Sequence, residues 1–127
     1  MEEKLIFIVD DDKVILNLLE YTFKSKEGYE VKTFSSGEEC LENIDLNPDL
    51  IVLDHIFDKR GEITMTGLET LKQLRKTNQK VPVIILSGQG DSSLVREYEM
   101  NGALNYISKS DYFVDNLVDS VEKVFPE

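Results

Sequence analysis

Three consecutive aspartates follow the first apolar run of the chain, which reads LIFIVDDD from residue 5 to residue 12. Carboxylates this close repel one another, and a like-charged pair at about 4 Å costs from ~1 kcal/mol in bulk water to ~4 kcal/mol where the effective dielectric constant is near 20. A solvated acidic turn with one aspartate as a helix N-cap accounts for one of the three. Hard divalent cations such as Mg²⁺ prefer oxygen ligands, so the cluster favours a metal site.

Other polar residues follow later apolar runs in the same way. Asp54 comes directly after LIVL, Ser87 after VPVIIL and Lys109 after ALNYIS. If these runs are parallel strands, their carboxyl ends meet at one edge of the sheet, and the three side chains converge with Asp10 and Asp11. Taken singly, Asp54 is explained as a turn former, Ser87 as a loop hydroxyl and Lys109 as a solvated charge. Together they form a set that could bind a metal ion and an anion, because the lysine can reach a phosphoryl oxygen.

The elements that must position these residues alternate along the chain. Apolar runs bounded by turn residues predict strands at 5–9, 29–34, 50–53, 81–86 and 103–108. Segments with helical spacing lie between them, and a fifth helix closes the chain with Asp111 as its expected N-cap. Right-handed crossovers then predict an α/β fold: a (βα)₅, doubly wound, five-stranded parallel sheet of flavodoxin-like order 2-1-3-4-5.

Composition narrows the function classes. A chain of 127 residues with 41% hydrophobic residues predicts one domain spanning residues 1–127. The net charge of -11 argues against nucleic acid and anionic membranes as partners. The start MEEK precedes only five apolar residues, too few for a signal peptide or a membrane span, so a cytoplasmic protein is expected. Cys40 is the only cysteine, which excludes an internal disulfide and predicts a buried packing residue.

The motifs IVDDDKVIL, DLIVLD, VIILSG and NYISK resemble those of the response-regulator receiver domain of two-component signalling, and the resemblance covers the whole chain. It implies that Asp54 accepts a phosphoryl group from a histidine kinase or a histidine phosphotransfer protein. It also implies a Mg²⁺ site formed by Asp10, Asp11, Asp54 and the backbone carbonyl of Ile56. Asp12 is then spare, and we expect it to cap the first helix.

The same resemblance assigns the remaining site residues. Ser87 would be the switch hydroxyl and Lys109 the clamp, both in contact with phosphoryl oxygens. Tyr106 in NYISK matches the aromatic residue that turns inward when the switch hydroxyl moves; an exposed strand tyrosine is the plainer interpretation. The readout surface would be helix four, strand five and helix five, which would engage a downstream effector protein. No output domain is expected after Phe125, and a homodimer formed on phosphorylation stays open.

Some features depart from the usual receiver pattern. The loop HIFDKRGEITMT after Asp54 is longer than usual. Lys109 precedes Ser110 where a proline, often cis, is usual, and we expect a trans bond because a cis bond there would cost ~2.5 to 4 kcal/mol. Ile56 cannot orient a hydrolytic water, so we expect the protein to catalyse only its own phosphorylation and a slow dephosphorylation. His55 is expected to pack in its loop and not to be a phosphohistidine.

Two alternatives compete with this interpretation. IFIVDDDKVIL also fits the D-x-D-x-V pattern of haloacid-dehalogenase-like phosphatases, with Asp10 as nucleophile and Asp12 as acid/base. That class needs a further acidic motif after the lysine strand, which the terminal helix does not supply, and it leaves Asp54 unexplained. The other alternative is a receiver-shaped scaffold that binds partners without phosphorylation.

Overall fold

The computed structural model describes residues 3–55, 65–88, 92–110 and 112–125. The strands are β1 (Lys4–Val9), β2 (Tyr29–Phe34), β3 (Leu50–Asp54), β4 (Val83–Ser87) and β5 (Asn105–Ser108). The helices are α1 (Lys13–Lys24), α2 (Gly37–Glu42), α3 (Gly67–Thr77), α4 (Ser92–Met100) and α5 (Phe113–Val124), with a short 3₁₀ helix at Ile44–Leu46. The strands form one parallel sheet in the order β2-β1-β3-β4-β5, which confirms the predicted topology.

Alternating side chains of the central strands divide the core between the two faces of the sheet. Ile6 and Ile8 of β1 point into a cluster that α1 and α5 cover, whereas Phe7 and Val9 point into a cluster that α2, α3 and α4 cover. Both faces are therefore buried, as expected for a doubly wound parallel sheet. This arrangement leaves the edge formed by the strand ends as the place for polar side chains.

The start of α1 matches the expectation for Asp12. Its side chain accepts hydrogen bonds from the backbone N–H groups of Val14, at 2.9 Å, and Ile15, at 3.4 Å. Two of the unpaired donors at the helix start are thereby satisfied, so Asp12 is the N-cap. Asp111, the expected cap of α5, lies outside the described residues.

Two strands begin two residues later than the sequence predicts. At β4, the Asn78 side chain accepts the backbone N–H of Val81 at 3.0 Å, so that amide is not available to the sheet. At β5, the N–H of Ala103 donates to the carbonyl of Tyr98 at 2.9 Å, after a turn in which Gly102 has φ +89°. Local turn bonds therefore displace the strand starts, whereas the carboxyl ends, where the site lies, fall within one residue of the predicted ends.

The expectations for Cys40 and for the peptide bond after Lys109 hold. Cys40 is buried on α2, where burial raises its pKa to about 12, in keeping with a packing role. The described residues contain no cis peptide bond, so the bond from Lys109 to Ser110 is trans. Among them, no helix has both the length and the apolar character that crossing a membrane requires.

Candidate functional site

Three carboxylates meet at the carboxyl ends of β1 and β3. The two strands pair in parallel with Val9 opposite Leu53. Asp10 follows Val9 and Asp54 follows Leu53, so the two aspartates lie side by side. Asp10 is 1% exposed and Asp54 is 4% exposed. One oxygen each from Asp10, Asp11 and Asp54 lies within 4.8 Å of the others. The convergence expected from the strand ends is therefore present.

Lys109 supplies the cation of this cluster. Its Nζ lies 2.8 Å from Oδ1 of Asp54 and 2.9 Å from Oδ2 of Asp10. The backbone N–H of Lys109 donates to the carbonyl of Ser87 at 2.8 Å, which holds the end of β5 against β4. The ammonium group therefore bridges two buried carboxylates that come from different strands.

Ser87 and Gly88 complete the edge on the β4 side. Ser87 is the last residue of β4 and is 1% exposed, and β4 lies directly beside β3. A Cβ added at Gly88 would meet nothing within 4 Å, so the space beside the serine is open.

The Asp10 carboxylate is oriented by its own loop. The backbone N–H of Asp12 donates to Oδ1 of Asp10 at 3.0 Å, and the N–H of Asp10 donates to the carbonyl of Phe34 at 3.0 Å. With Lys109 on Oδ2, both oxygens of Asp10 have a partner. This carboxylate is held in place before any ligand arrives.

Burial dominates the electrostatics of the cluster. The pKa of Asp54 is raised to about 7, chiefly because burial desolvates the carboxylate; the hydrogen bond from Lys109 opposes this shift, and the charges of Asp10 and Asp11 add to it. Burial also raises the pKa of Asp10, against the hydrogen bonds from Asp12 and Lys109. Burial by itself lowers the pKa of Lys109, but its hydrogen bonds to Asp54 and Asp10 outweigh burial and raise it. The ammonium group of Lys109 therefore contacts two of the three carboxylates.

The donor set fits a hard divalent cation. Among the described residues, these three aspartates are the only group of three or more potential metal ligands, and all of their donors are carboxylate oxygens. Mg²⁺ binds through one or two carboxylates together with waters and phosphate oxygens. A cluster of oxygen ligands favours such a hard cation over softer metal ions. The Ile56 carbonyl, expected as a further ligand, lies outside the described residues.

The raised pKa of Asp54 predicts a pH-dependent stability for the metal-free protein. Because the folded state has the higher pKa, about 7 against 3.8, it binds more protons than the unfolded chain between about pH 4 and pH 7. The free energy of unfolding therefore falls as pH rises through this window. A shift of this size corresponds to ~4 kcal/mol at about 1.4 kcal/mol per pKa unit.

Removing that charge should stabilise the fold. In chelator-treated protein at pH 8, we expect Asp54→Asn to be ~1 to 2 kcal/mol more stable than wild type, less than the full shift because the contact with Lys109 weakens. Urea unfolding at pH 5 and pH 8 measures this, with the exposed Asp45→Asn as the matched control. A lower stability for Asp54→Asn at pH 8, or an unchanged pH slope, contradicts the prediction.

A contact outside the strand-end set involves His55 and Tyr98. The His55 ring packs against Tyr98 with ring centroids 5.5 Å apart, and its Nδ1 shares a hydrogen bond with the tyrosine hydroxyl. Burial lowers the pKa of His55 and raises that of Tyr98, so both are neutral at pH 7. The packing role expected for His55 is confirmed. Its partner lies 43 residues away, and no sequence pattern connects the two.

The comparison with known protein families agrees with this geometry. A family model described as the response regulator receiver domain matches residues 6–122. The chain belongs to the response regulator receiver family. Response regulators are signalling proteins, and phosphorelay signalling fits this receiver and its relatives. The phosphatase alternative with Asp10 as nucleophile finds no support in them.

The receiver spans different fractions of its relatives' lengths. This chain is 32% identical over 127 residues to sporulation initiation phosphotransferase F of Bacillus subtilis (strain 168), across 99% of this chain and 96% of that protein. It is 37% identical over 108 residues to the alkaline phosphatase synthesis transcriptional regulatory protein PhoP of the same organism, across 84% of this chain and 42% of that protein. The receiver thus spans nearly all of the first relative and less than half of the second.

A solved structure shows the same fold. The receiver is similar to the crystal structure of a CheY-like response regulator receiver domain protein from Methanospirillum hungatei JF-1, with a TM-score of 0.81 and 29% sequence identity. The match covers 97% of this chain and 94% of that one. The sheet order and the edge that carries the site therefore belong to the family fold.

Proposed function

We propose that residues 1–127 form a single receiver domain that accepts a phosphoryl group on Asp54 in a Mg²⁺-dependent reaction. The observation that carries the proposal is the buried cluster of Asp10, Asp11 and Asp54, with Lys109 in contact with two of the three carboxylates. The whole-length similarity to a protein named a phosphotransferase supports it. The donor would be a histidine kinase or a histidine phosphotransfer protein.

Phosphoryl transfer asks a protein mainly for positioning and charge neutralisation, and the cluster is suited to both. A carboxylate oxygen of Asp54 attacks phosphorus, the bond from phosphorus to the donor's leaving atom breaks, and the leaving group takes that electron pair. Lys109, which already contacts Asp54, would contact the oxygens of the incoming group. Mg²⁺ held by Asp10, Asp11 and Asp54 would neutralise the charge that spreads over those oxygens.

The phosphoryl group would then act as a switch. It adds about two negative charges and new hydrogen-bond acceptors next to the buried end of β4. In our proposal the Ser87 hydroxyl binds a phosphoryl oxygen, Tyr106 on β5 changes position, and the surface of α4, β5 and α5 alters its affinity for a downstream effector protein. This is a population shift biased by phosphorylation.

The protein would act in the cytoplasm on protein partners, and its charge of -11 disfavours nucleic acid and membrane surfaces. It would catalyse only its own phosphorylation and a slow dephosphorylation. A homodimer that forms on phosphorylation would be compatible with the same surface.

Acetyl phosphate tests the proposal without a cognate kinase. We expect wild-type protein incubated with acetyl phosphate and Mg²⁺ to gain the mass of one phosphoryl group, as measured by intact-protein mass spectrometry. Chelation of the metal should reduce the modified fraction at least tenfold, because three carboxylates and one ammonium repel an anionic donor. No mass gain with Mg²⁺ would favour the scaffold alternative, and equal gain after chelation would remove the metal from the proposal.

A further inference from the structure

His55, the residue that follows Asp54, is connected to α4 by a hydrogen bond between side chains. His55 Nδ1 and the hydroxyl of Tyr98 share a hydrogen bond, and the Tyr98 ring is completely buried. The backbone N–H of His55 donates to the carbonyl of Leu86 at 3.0 Å, so the same residue is also anchored to β4. The chain just after Asp54 is therefore in direct contact with Tyr98.

The start of α3 packs into the same junction. The N–H of Gly67 donates to the carbonyl of His55 at 2.8 Å. A Cβ added at Gly67 would lie 2.3 Å from the carbonyl oxygen of Asp54 and 2.9 Å from the Tyr98 oxygen. The absence of a side chain at Gly67 lets the end of β3, the start of α3 and α4 meet at one hydroxyl group.

On its other side, the Tyr98 ring faces the strand-five tyrosine. The ring centroids of Tyr98 and Tyr106 are 5.8 Å apart, with an interplanar angle of 52°. A cavity of about 140 Å³ between α4 and β5 is lined by both tyrosines, together with Val95 and Ala103. The Tyr106 ring therefore has space to change position, and such a change alters its contact with Tyr98.

We propose that Tyr98 is a positioning residue that couples the backbone at Asp54 to Tyr106 through its hydrogen bond with His55. This inference rests on the proposed phosphorylation of Asp54. Packed junctions of this kind shift between discrete arrangements and do not deform continuously, so a small movement after Asp54 can select a new position of α4 and Tyr106. The route runs from the end of β3 through a buried hydroxyl to β5.

The test compares two variants that remove the hydrogen bond and keep side-chain volumes close to those of wild type. Tyr98→Phe removes the hydroxyl and keeps the ring, and His55→Leu removes the other partner of the bond. We expect NMR signals of the Tyr106 ring and the α4 amides to shift in wild type when Mg²⁺ and beryllofluoride, a phosphoryl mimic, are added. In each variant these shifts should fall at least twofold, and the double variant should lose no more than either single variant.

Matched controls separate coupling from a loss of stability. Tyr21→Phe, at a position 75% exposed on α1, should keep the full response. A structural role alone would change the midpoint of urea unfolding and leave the shifts intact, so a full response in Tyr98→Phe, or additive losses in the double variant, overturns the inference. If wild type itself takes up no phosphoryl group from acetyl phosphate, the proposed function fails and the inference fails with it.

Discussion

We expect Asp54→Asn protein to gain no phosphoryl group from acetyl phosphate and Mg²⁺ under conditions in which the wild-type chain gains one. The carboxamide has nearly the shape of the carboxylate but lacks the nucleophilic oxygen, so chemistry is lost while packing is kept. Lys109 retains its contact with Asp10 at 2.9 Å, and the variant should therefore fold. Intact-protein mass spectrometry over a time course measures the modified fraction.

Two further variants make this result specific to position 54. Asp45→Asn, on the exposed 3₁₀ helix, should be phosphorylated at the wild-type rate. Asp10→Asn distinguishes the phosphatase-like alternative, in which Asp10 would be the nucleophile and Asp54→Asn would still be modified. A phosphoryl group found on Asp54→Asn protein would show that the acceptor lies elsewhere.

Lys109→Met should slow phosphorylation by acetyl phosphate by ~10²-fold. Removal of one preorganised charge from a reacting centre typically costs a factor of about 10² to 10³ in rate. Methionine keeps the length of the stem but leaves Asp10 and Asp54 without the ammonium that now lies within 2.9 Å of both. The loss also raises the pKa of Asp54, since the lysine hydrogen bond lowers it, and less of the nucleophilic carboxylate is then present.

The rate of mass gain at fixed acetyl phosphate and Mg²⁺ measures this effect. Lys109→Arg should recover part of the rate, because it restores the charge with a different geometry. Lys72→Met, on the exposed face of α3, should match wild type. A Lys109→Met rate within twofold of wild type would mean that the lysine has no part in neutralising the transferred group.

The sequence alone determined the composition of the site and the edge of the sheet on which it lies. Apolar runs on β1, β3 and β4 predict strands buried on both faces. Parallel strands bring their carboxyl ends to one edge of the sheet, and this does not depend on the conformation of the loops. Asp10, Asp54 and Ser87 each stand at such an end, so their proximity follows from topology. Asp12 is expected to cap the first helix because the resemblance assigns Asp10 and Asp11 to the metal site and leaves Asp12 spare, and the structure confirms that cap.

Only the tertiary structure decided how the groups interact within that edge. The sequence does not reveal that Lys109 bridges Asp10 and Asp54, or that burial outweighs the lysine in raising the pKa of Asp54 to about 7. Nor does it connect His55 to Tyr98, because no periodicity relates residues 43 positions apart on a strand end and a helix. Such contacts depend on how helices pack on the sheet and on which side chains become dehydrated, and both are properties of the assembled core.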